Sequence, residues 1–477
     1  MKARGGRGAA RPRPRRRSRP PAGAPVDLEP VRGLERLDRL MERVGGAADA
    51  RYRGERSVCL RMANSQLYQP SVILLESLSL RIVLEGNKIG VATGTDLSDA
   101  GIDGLIARAR SLAREAQPLR HPLRFREASG PVEPPKFSSR LEEGERRAAE
   151  ALPLLEEEMR GSLVEPRVSG TYETTASVLA VANSAGLRRA QRRSVARADV
   201  LLEDLRRGFS ASGWAEAAHW DPRRVDLLSL GRTACRRTAS KPPRSLPPGE
   251  YRVLLDAPAV GELLSGIFTA SLGARAVEEG WSFLLRPGEV PPLPSLLRLD
   301  EDPRDPEGLP ESIDAEGTRR TRRALLHQGA FAPPCEDLLS AARSGRALTG
   351  NALSPELPGG PLPTHLTLRP GRSDLPGLLQ SLGTGVLVTR FWYVRTVHAG
   401  RTEITGMTRD GTYWVEGGEI SHPLRNLRFT ESVLRTLSGV EAVGRDRVAI
   451  ASEEGMQTVL TPALLSRSFR FTSGTTF

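Results

Sequence analysis

The side chains that most often bind metals or attack substrates are few in this sequence and lie far apart. No two of the six histidines are close enough for a helical zinc motif: they are His121, His219, His327, His365, His398 and His422. The cysteines are too widely spaced for a disulfide framework or a Cys-x-x-Cys metal site: they are Cys59, Cys235 and Cys335. We therefore expect surface or hydrogen-bonded core histidines, ordinary thiols, and no metal-ligand cluster in this chain.

Other catalytic motifs are also missing, which leaves one acidic segment as a candidate. Neither a Gly-x-Ser-x-Gly nucleophile motif nor a Walker phosphate loop occurs in the sequence. Carboxylates that could bind a hard cation are concentrated in one stretch: Asp300, Glu301, Asp302, Asp305, Asp314 and Glu316. Prolines interrupt this stretch and its spacing is not that of a calcium loop. We therefore expect a solvated acidic loop, with cation binding or backbone contacts as the alternatives.

The positive charge of the chain is concentrated at its amino end. The net charge is +12, and residues 1–20 carry nine lysines and arginines without any acid, so the remainder carries only +3. A Pro/Arg run of like charges cannot bury apolar surface. We expect residues 1–26 to be a disordered basic tail, or an extension produced by a misplaced start codon. Contact of this tail with nucleic acid or another anionic surface is the alternative, because basic segments bind phosphates and other anions.

The composition is that of a globular protein with more than one domain. Hydrophobic residues make up 39% of the chain and charged residues 26%, and the 47 glycines and 37 prolines indicate many turns. No apolar run approaches the roughly 18 residues of a membrane span, and the amino end lacks the hydrophobic stretch of a secretory signal. We therefore expect a cytoplasmic protein that has no membrane partner.

Hydrophobic periodicity predicts a mixture of strands and helices in the first half of the chain. Apolar and polar residues alternate over Ser77–Leu84, Gly86-Asn87 predicts a turn, and Ile89–Thr93 is the predicted return strand. Ser98 can cap the amphipathic helix that follows. A second hairpin is predicted around the turn Asn183–Gly186, with a return strand that extends to about residue 202.

A proline-rich segment, Lys241–Gly249, separates the two predicted halves. We expect an N-terminal α/β domain over residues 27–240 and a mostly β C-terminal domain over residues 250–477. Beyond Pro258 the sequence predicts one helix, whose apolar face is formed by Val260, Leu263, Leu264, Ile267 and Phe268. Short strands dominate from Thr364 onward. The predicted fold class is α+β, with a mixed N-terminal domain followed by a largely antiparallel β domain.

Several segments together resemble the TldD/PmbA (TldE) family of bacterial peptidases. In the second half they include Asp314-Ala315-Glu316-Gly317, Thr349-Gly350-Asn351-Ala352 and the stretch Thr405–Gly411. Ala63-Asn64-Ser65 and Val181–Gly186 extend the likeness to about residues 50–475. The order and spacing of these segments carry the resemblance. It implies that the two predicted domains have the TldD/PmbA type of fold.

The zinc site of the active member of this family has no counterpart at the matching positions. That member holds zinc with a His-Glu-x-x-x-His segment before a Gly-x-Ser pattern, and with a cysteine near its carboxyl end. With Gly280-Trp281-Ser282 as the anchor, the resemblance places these ligand and base positions at Ser265, Gly266 and Ala270. A hydroxyl, a bare backbone and a methyl group supply neither imidazole ligands nor a base. No cysteine follows Cys335 in the chain.

The resemblance implies that this chain is the metal-free PmbA/TldE-like subunit of a heterodimer. Its partner would be a zinc-bearing TldD-type subunit, and the pair would degrade or trim unfolded peptides, including leader peptides. This chain would bind peptide as an added β-strand, and it would have no cofactor and no catalytic residue of its own. Two alternatives remain: a metal-independent hydrolase, which needs a nucleophile paired with a base, and a nucleic-acid-binding protein that acts through the basic tail.

Overall fold

The computed structural model describes residues 26, 28–207, 211–357, 359–451 and 457–475. Apart from Val26, the predicted basic tail, residues 1–26, lies outside the described residues. Across the described ranges, no helix combines the length and the apolar character that a membrane span requires.

The N-terminal half combines one long-stranded sheet with helices. Its helices are α1 (Pro30–Val44), α2 (Asp99–Glu115), α3 (Leu141–Met159) and α4 (Leu227–Arg236). Its strands are β1 (Ala47–Ala63), β2 (Gln66–Leu84), β3 (Lys88–Gly94), β4 (Pro166–Asn183), β5 (Arg188–Asp204) and β6 (Ser212–His219). The strands form an antiparallel sheet of order β3-β2-β1-β4-β5-β6.

One face of this sheet is apolar and is covered by the helices. Alternate residues of β1 point to this face: Ala48, Ala50, Tyr52, Val58, Leu60 and Met62. The first three share a core with α1 and α2, and the last three share a core with α3 and α4. Because side chains alternate along a strand, Asp49, Arg51 and Ser57 point to the opposite face. That face is polar, and these three side chains are buried in it.

The C-terminal half consists of short helices and two sheets. Its helices are α5 (Ala257–Leu264), α6 (Ile267–Ser271), α7 (Ala274–Glu278), α8 (Leu338–Ser344), α9 (Leu375–Leu382) and α10 (Val433–Ser438). Its strands are β7 (Gly249–Leu255), β8 (Leu299–Glu301), β9 (Arg323–His327), β10 (Ala330–Phe331), β11 (His365–Leu368), β12 (Gly385–Val388), β13 (Phe391–His398), β14 (Glu403–Thr408), β15 (Thr412–Glu416), β16 (Glu419–Pro423), β17 (Leu427–Ser432), β18 (Val440–Val443), β19 (Val448–Ala451), β20 (Thr458–Thr461) and β21 (Leu464–Gly474).

The two C-terminal sheets are largely antiparallel, as the sequence predicted. One has the order β10-β9-β8-β11-β20-β19, and the other has the order β13-β14-β17-β21-β7-β12-β15-β16, with β18 beside β21. The pairs β7/β12 and β11/β20 are parallel. Helices α5 and α6 contribute Val260, Leu263 and Phe268 to a core that both sheets line. This core fixes the positions of α5 and α6, which lie in the segment beyond Pro258 where the sequence predicted a helix.

The first predicted hairpin is confirmed, but its strands extend further than the alternating pattern indicated. The predicted strand Ser77–Leu84 is the last part of β2, and the return strand is β3. The second hairpin is confirmed by β4 and β5, which flank the turn Asn183–Gly186. Strand β1, which pairs with both β2 and β4, was not predicted.

Candidate functional site

The chain turns sharply between α5 and α6, where the sequence predicted one continuous helix. Gly266 has φ +63° and ψ −121°, a positive-φ conformation that glycine adopts easily because it has no Cβ. Helix α5 ends at Leu264 and α6 begins at Ile267, so the prediction of one helix is wrong. The predicted apolar face still reaches a single core, because Val260 and Phe268 are both fully buried in it.

The three positions that the resemblance matches to the zinc site lie at this break or just beyond it. Ser265 and Ala270 are half-buried, and Gly266 is exposed. The Ser265 hydroxyl donates to the carbonyl of Gly261 at 2.7 Å, so it satisfies an acceptor at the interrupted helix end. A Cβ at position 266 would meet no atom within 4 Å. None of the three residues offers an imidazole or a carboxylate, so they do not fit a zinc ion.

Histidine and cysteine side chains are dispersed over the described part of the structure. Among the described residues, no group of three or more His, Cys, Asp and Glu side chains could hold a metal ion. His365 is buried, with Nε2 2.9 Å from the carbonyl oxygen of Leu309 and Nδ1 3.0 Å from the hydroxyl of Thr364. Burial raises the pKa of the Cys335 thiol to about 12. His365 is thus a hydrogen-bonded core residue, and Cys335 is an unreactive thiol.

A pair of carboxyl groups lies close to α5, on the polar face of the N-terminal sheet. Asp199 of β5 and Glu216 of β6 are directly opposite each other across the two strands, which places their Cβ atoms about 5 Å apart. Burial raises the pKa of Glu216 to about 8, and the carboxylates of Glu262 in α5 and of Asp199 act in the same direction. Burial also raises the pKa of Asp199, which accepts a hydrogen bond from the Thr171 hydroxyl. A carboxyl with a pKa of about 8, such as that of Glu216, can take up or release a proton near neutral pH.

An arginine and a tryptophan border this carboxyl pair. The Arg390 guanidinium lies over the ring of Trp214 at 4.2 Å and pairs with Asp410 at 2.7 Å. Asp410 also accepts from the hydroxyl of Ser212 at 2.6 Å. Residues 212, 214 and 216 of β6 therefore all face the C-terminal half. The carboxyl pair lies at the boundary between the two halves, on the side of Glu262 in α5.

Sequence reasoning missed both carboxyl residues. Asp199 falls within the predicted return strand. Arg197 and Asp199 alternate with alanines there, and this alternation was the available signal for a polar face. Glu216 belongs to β6, which was not predicted. Their proximity depends on the register between β5 and β6, which a single sequence does not reveal.

The acidic segment is buried, so the prediction of a solvated loop is wrong. Four of its acids are at most 5% exposed: Asp300, Glu301, Asp314 and Glu316. Arg320 pairs with Glu301, and Arg81 of β2 pairs with Glu316 at 2.9 Å, whereas Asp314 accepts hydrogen bonds from backbone amides. The stretch 309–317 packs on the polar face of the N-terminal sheet, where Arg189 donates to the carbonyl of Gly317 at 2.7 Å. Glu316 and the stretch around it therefore join the two halves of the protein, whereas Asp300 and Glu301 pair with arginines of the C-terminal half.

Two family models match this chain, and together they span more than half of it. The model described as PmbA/TldA metallopeptidase C-terminal domain matches residues 248–473. The model described as PmbA/TldA metallopeptidase domain 1 matches residues 48–113. Metalloprotease PmbA of Escherichia coli O157:H7 is 28% identical over 225 residues, which are 46% of this chain and 46% of that protein. The chain spans about half the length of the curated relatives it matches.

Solved structures share the fold over 92% of this chain. TldE from Thermococcus kodakarensis has a TM-score of 0.81 at 17% identity, with 100% of that chain covered. A candidate modulator of a DNA gyrase from Thermotoga maritima MSB8 has a TM-score of 0.78 at 21% identity, with 99% of that chain covered. These structural matches agree with the predicted α+β fold. Along the chain, the match to domain 1 precedes the match to the C-terminal domain. The chain belongs to the PmbA/TldD family of metallopeptidase-related proteins.

Proposed function

We propose that this chain is the non-catalytic, metal-free subunit of a cytoplasmic TldD/TldE-type heteromeric peptidase. The observation that carries the proposal is a family fold with Ser265, Gly266 and Ala270 at the positions of the zinc ligands and base. The pair would degrade or trim unfolded peptides, including leader peptides. In this assignment the TldD-type partner supplies zinc and base, and this chain contributes peptide binding.

Edge strand β13 is our candidate for the peptide-binding element. In the described part of the chain it pairs on one side only, with β14, and an unpaired edge can add an extended peptide through main-chain hydrogen bonds. The exposed side chains of Trp392 and Tyr393 could contact apolar residues of that peptide. The strand leads into the turn Ala399–Arg401, which contacts α6. A peptide on this edge would therefore lie near the break at Gly266.

The first part of β2 offers a surface for the partner subunit. Strand β3 covers β2 only from Leu78 to Leu84, so the outer edge of residues 66–77 has no neighbour among the described strands. The exposed apolar side chains of this part are Leu67, Tyr68, Val72, Ile73 and Leu74. A long apolar strand edge promotes aggregation unless another chain covers it. We assign this edge to the heterodimer contact.

Peptide digestion by the separated and combined subunits tests the proposed function. A leader peptide is incubated with this chain, with a TldD-type partner, and with the mixture, and the products are identified by mass spectrometry. Cleavage is expected only in the mixture, and it should be lost with a chelator or when the partner's catalytic glutamate is replaced. Robust, chelator-resistant cleavage by this chain alone would overturn the proposal.

A substitution in β2 tests the assigned contact separately from activity. Ile73→Lys places a charge on the exposed edge and should weaken the complex in analytical ultracentrifugation. Val31→Lys is the matched control, because Val31 is 64% exposed and Ile73 is 58% exposed, but Val31 lies on α1. An unchanged complex with Ile73→Lys would place the interface elsewhere.

A metal-independent hydrolase is the second candidate, and the pair Asp199 and Glu216 favours it. A carboxyl that stays protonated near pH 7 beside a second carboxyl is an arrangement used in acid–base hydrolysis. Ser265 is a poor nucleophile in this arrangement, since its hydroxyl donates to a carbonyl rather than to a base. The test is cleavage by the chelator-treated chain and its loss in Glu216→Gln. If the treated chain cleaves no peptide, this candidate falls.

A further inference from the structure

A cleft between α3 and the start of α4 lies on the far side of the sheet from the carboxyl pair. Its volume is about 200 Å³. Helix α3 forms one wall, residues 225–228 form the other, and Tyr172 of β4 lies between them. The apolar part of the lining consists of Ala148, Ala151, Leu154, Val225, Leu227 and Leu228. The cleft has no role in the proposed peptidase function.

A buried hydroxyl without a partner lines this cleft. Tyr172 is 1% exposed, and its Oη has no hydrogen-bond partner among the described residues. Gly144 of α3 allows the hydroxyl to reach the helix, because a Cβ at position 144 would lie 2.6 Å from it. Burial raises the pKa of Tyr172 to about 12, so the phenol stays protonated and is a hydrogen-bond donor. A buried donor without an acceptor is rare in folded proteins.

A guanidinium without a partner lies on the same wall. Arg147 is half-buried, and no hydrogen bond or ion pair of its side chain occurs within the described ranges. The two acids of the lining are already engaged. Glu150 pairs with Arg146 at 2.9 Å, and Asp226 accepts from the amide of Leu228 at 3.3 Å at the start of α4. The cleft thus offers two donors without a partner among the described residues, one of them charged.

We propose that this cleft binds a small organic acid, with its carboxylate held by Arg147 and by the hydroxyl of Tyr172. Both groups are donors and a carboxylate is an acceptor, so the charge and the hydrogen-bonding capacity match. The hydrocarbon part of the acid packs on the alanine and leucine side chains of α3 and α4. An engineered cavity of about 150 Å³ holds benzene, so a cleft of this size suits an acid with a short branched or aromatic chain. A free phosphate would leave the apolar lining uncovered.

Calorimetric titration of the full chain with a series of carboxylates tests the proposal. The probes are acetate, butanoate, 4-methylpentanoate and 3-phenylpropanoate, and 4-methylpentanamide is the neutral counterpart of the third. We expect saturable binding of one equivalent of 4-methylpentanoate or 3-phenylpropanoate, weaker binding of acetate, and no binding of the amide. If no carboxylate binds at millimolar concentration, or if the amide binds as well as the acid, the proposal is wrong.

Single substitutions then locate the bound acid. Arg147→Gln removes the charge and Tyr172→Phe removes only the hydroxyl, so each should weaken binding by about tenfold or more, the loss expected for one charge-assisted hydrogen bond. Arg146→Gln is the matched control, because Arg146 is the next residue of α3 and is already paired with Glu150. Thermal unfolding checks that each variant is folded. Undiminished binding by both cleft variants would place the acid elsewhere.

Discussion

Arg81 and Glu316 lie 235 residues apart in the sequence, and Nη2 of Arg81 donates to Oε1 of Glu316 at 2.9 Å. Arg81 also forms two hydrogen bonds with Asp49 of β1, and the second oxygen of Glu316 accepts from the amide of Leu338 at 2.8 Å. The Asp314–Gly317 segment that carries part of the family resemblance is therefore a joint between the two halves. Its acids have a structural role that their sequence pattern did not indicate.

Replacement of Arg81 should show how much this joint stabilises the protein. Arg81→Met removes the guanidinium that pairs with buried Asp49 and with Glu316, and breaking a buried ion pair in this way costs about 3–5 kcal/mol. Arg53→Met is the control, because Arg53 is on β1 and its side chain, which pairs with Glu55, is 60% exposed; a loss under about 1 kcal/mol is expected there. Urea unfolding measures both, and equal losses would contradict the assigned role.

Buried His365 should make stability depend on pH in a predictable direction. Burial, with help from the nearby Arg320, lowers the pKa of His365 to about 3, below its value of about 6.5 in an unfolded chain. The unfolded chain therefore takes up the proton first as the pH falls. The stabilisation that neutral His365 provides is complete above pH 6.5 and is lost progressively toward pH 3, with about 2 kcal/mol lost between pH 7 and 5.

A variant isolates the contribution of His365. Burial raises the pKa values of Asp314 and Glu316, to about 6 and 7, and these groups act in the opposite direction over the same range. The quantity to measure is thus the difference in unfolding free energy between the wild type and His365→Gln. The stability of the wild type relative to the variant should decrease as the pH falls from 7 to 5. The exposed His121→Gln is the control. A difference that does not change with pH would contradict the expected shift.

The local parts of the fold were predictable from sequence, and the long-range parts were not. The β2–β3 hairpin follows from alternation and from a glycine-containing turn, which are local signals. Strand β1 was missed because its apolar face begins with small residues, Ala48 and Ala50, and its polar face carries Asp49 and Arg51. These charges are stable in the interior only because they pair with each other and with distant groups. Such partners are not visible in a short sequence window.

Only some positions of the candidate site could be identified from the sequence. Ser265, Gly266 and Ala270 were identified from a resemblance, and the structure adds that Gly266 breaks the helix there. The carboxyl pair Asp199 and Glu216 depends on strand register, and the cleft at Tyr172 depends on how two helices pack on a sheet. Neither arrangement leaves a periodic signal in the sequence.

The purified chain should contain no stoichiometric zinc. The reason is the set of side chains at residues 265, 266 and 270, which offers no imidazole and no carboxylate. Elemental analysis after mild chelation and dialysis gives the answer. About one zinc held tightly per chain would show that other residues of this chain bind the metal.

Deletion of residues 1–26 should leave folding and partner binding unchanged. The removed segment is a like-charged Pro/Arg run without apolar periodicity, so it has no hydrophobic contribution to lose. Thermal unfolding and co-purification with the TldD-type subunit measure the two properties. A large drop in melting temperature, or loss of the complex, would be inconsistent with a dispensable tail.

Restoring ligands without a base should not create a peptidase. Ser265→His with Ala270→His supplies two imidazoles, but Gly266 still offers no carboxylate to take a proton from water. We therefore expect the double variant alone, incubated with zinc, to leave a leader peptide intact in mass spectrometry. Adding Gly266→Glu is the informative comparison, because a side chain there has open space but must adopt a φ of +63°. Turnover by the double variant without this glutamate would show that another group of the chain activates water. Glu216 would then be the first residue to replace.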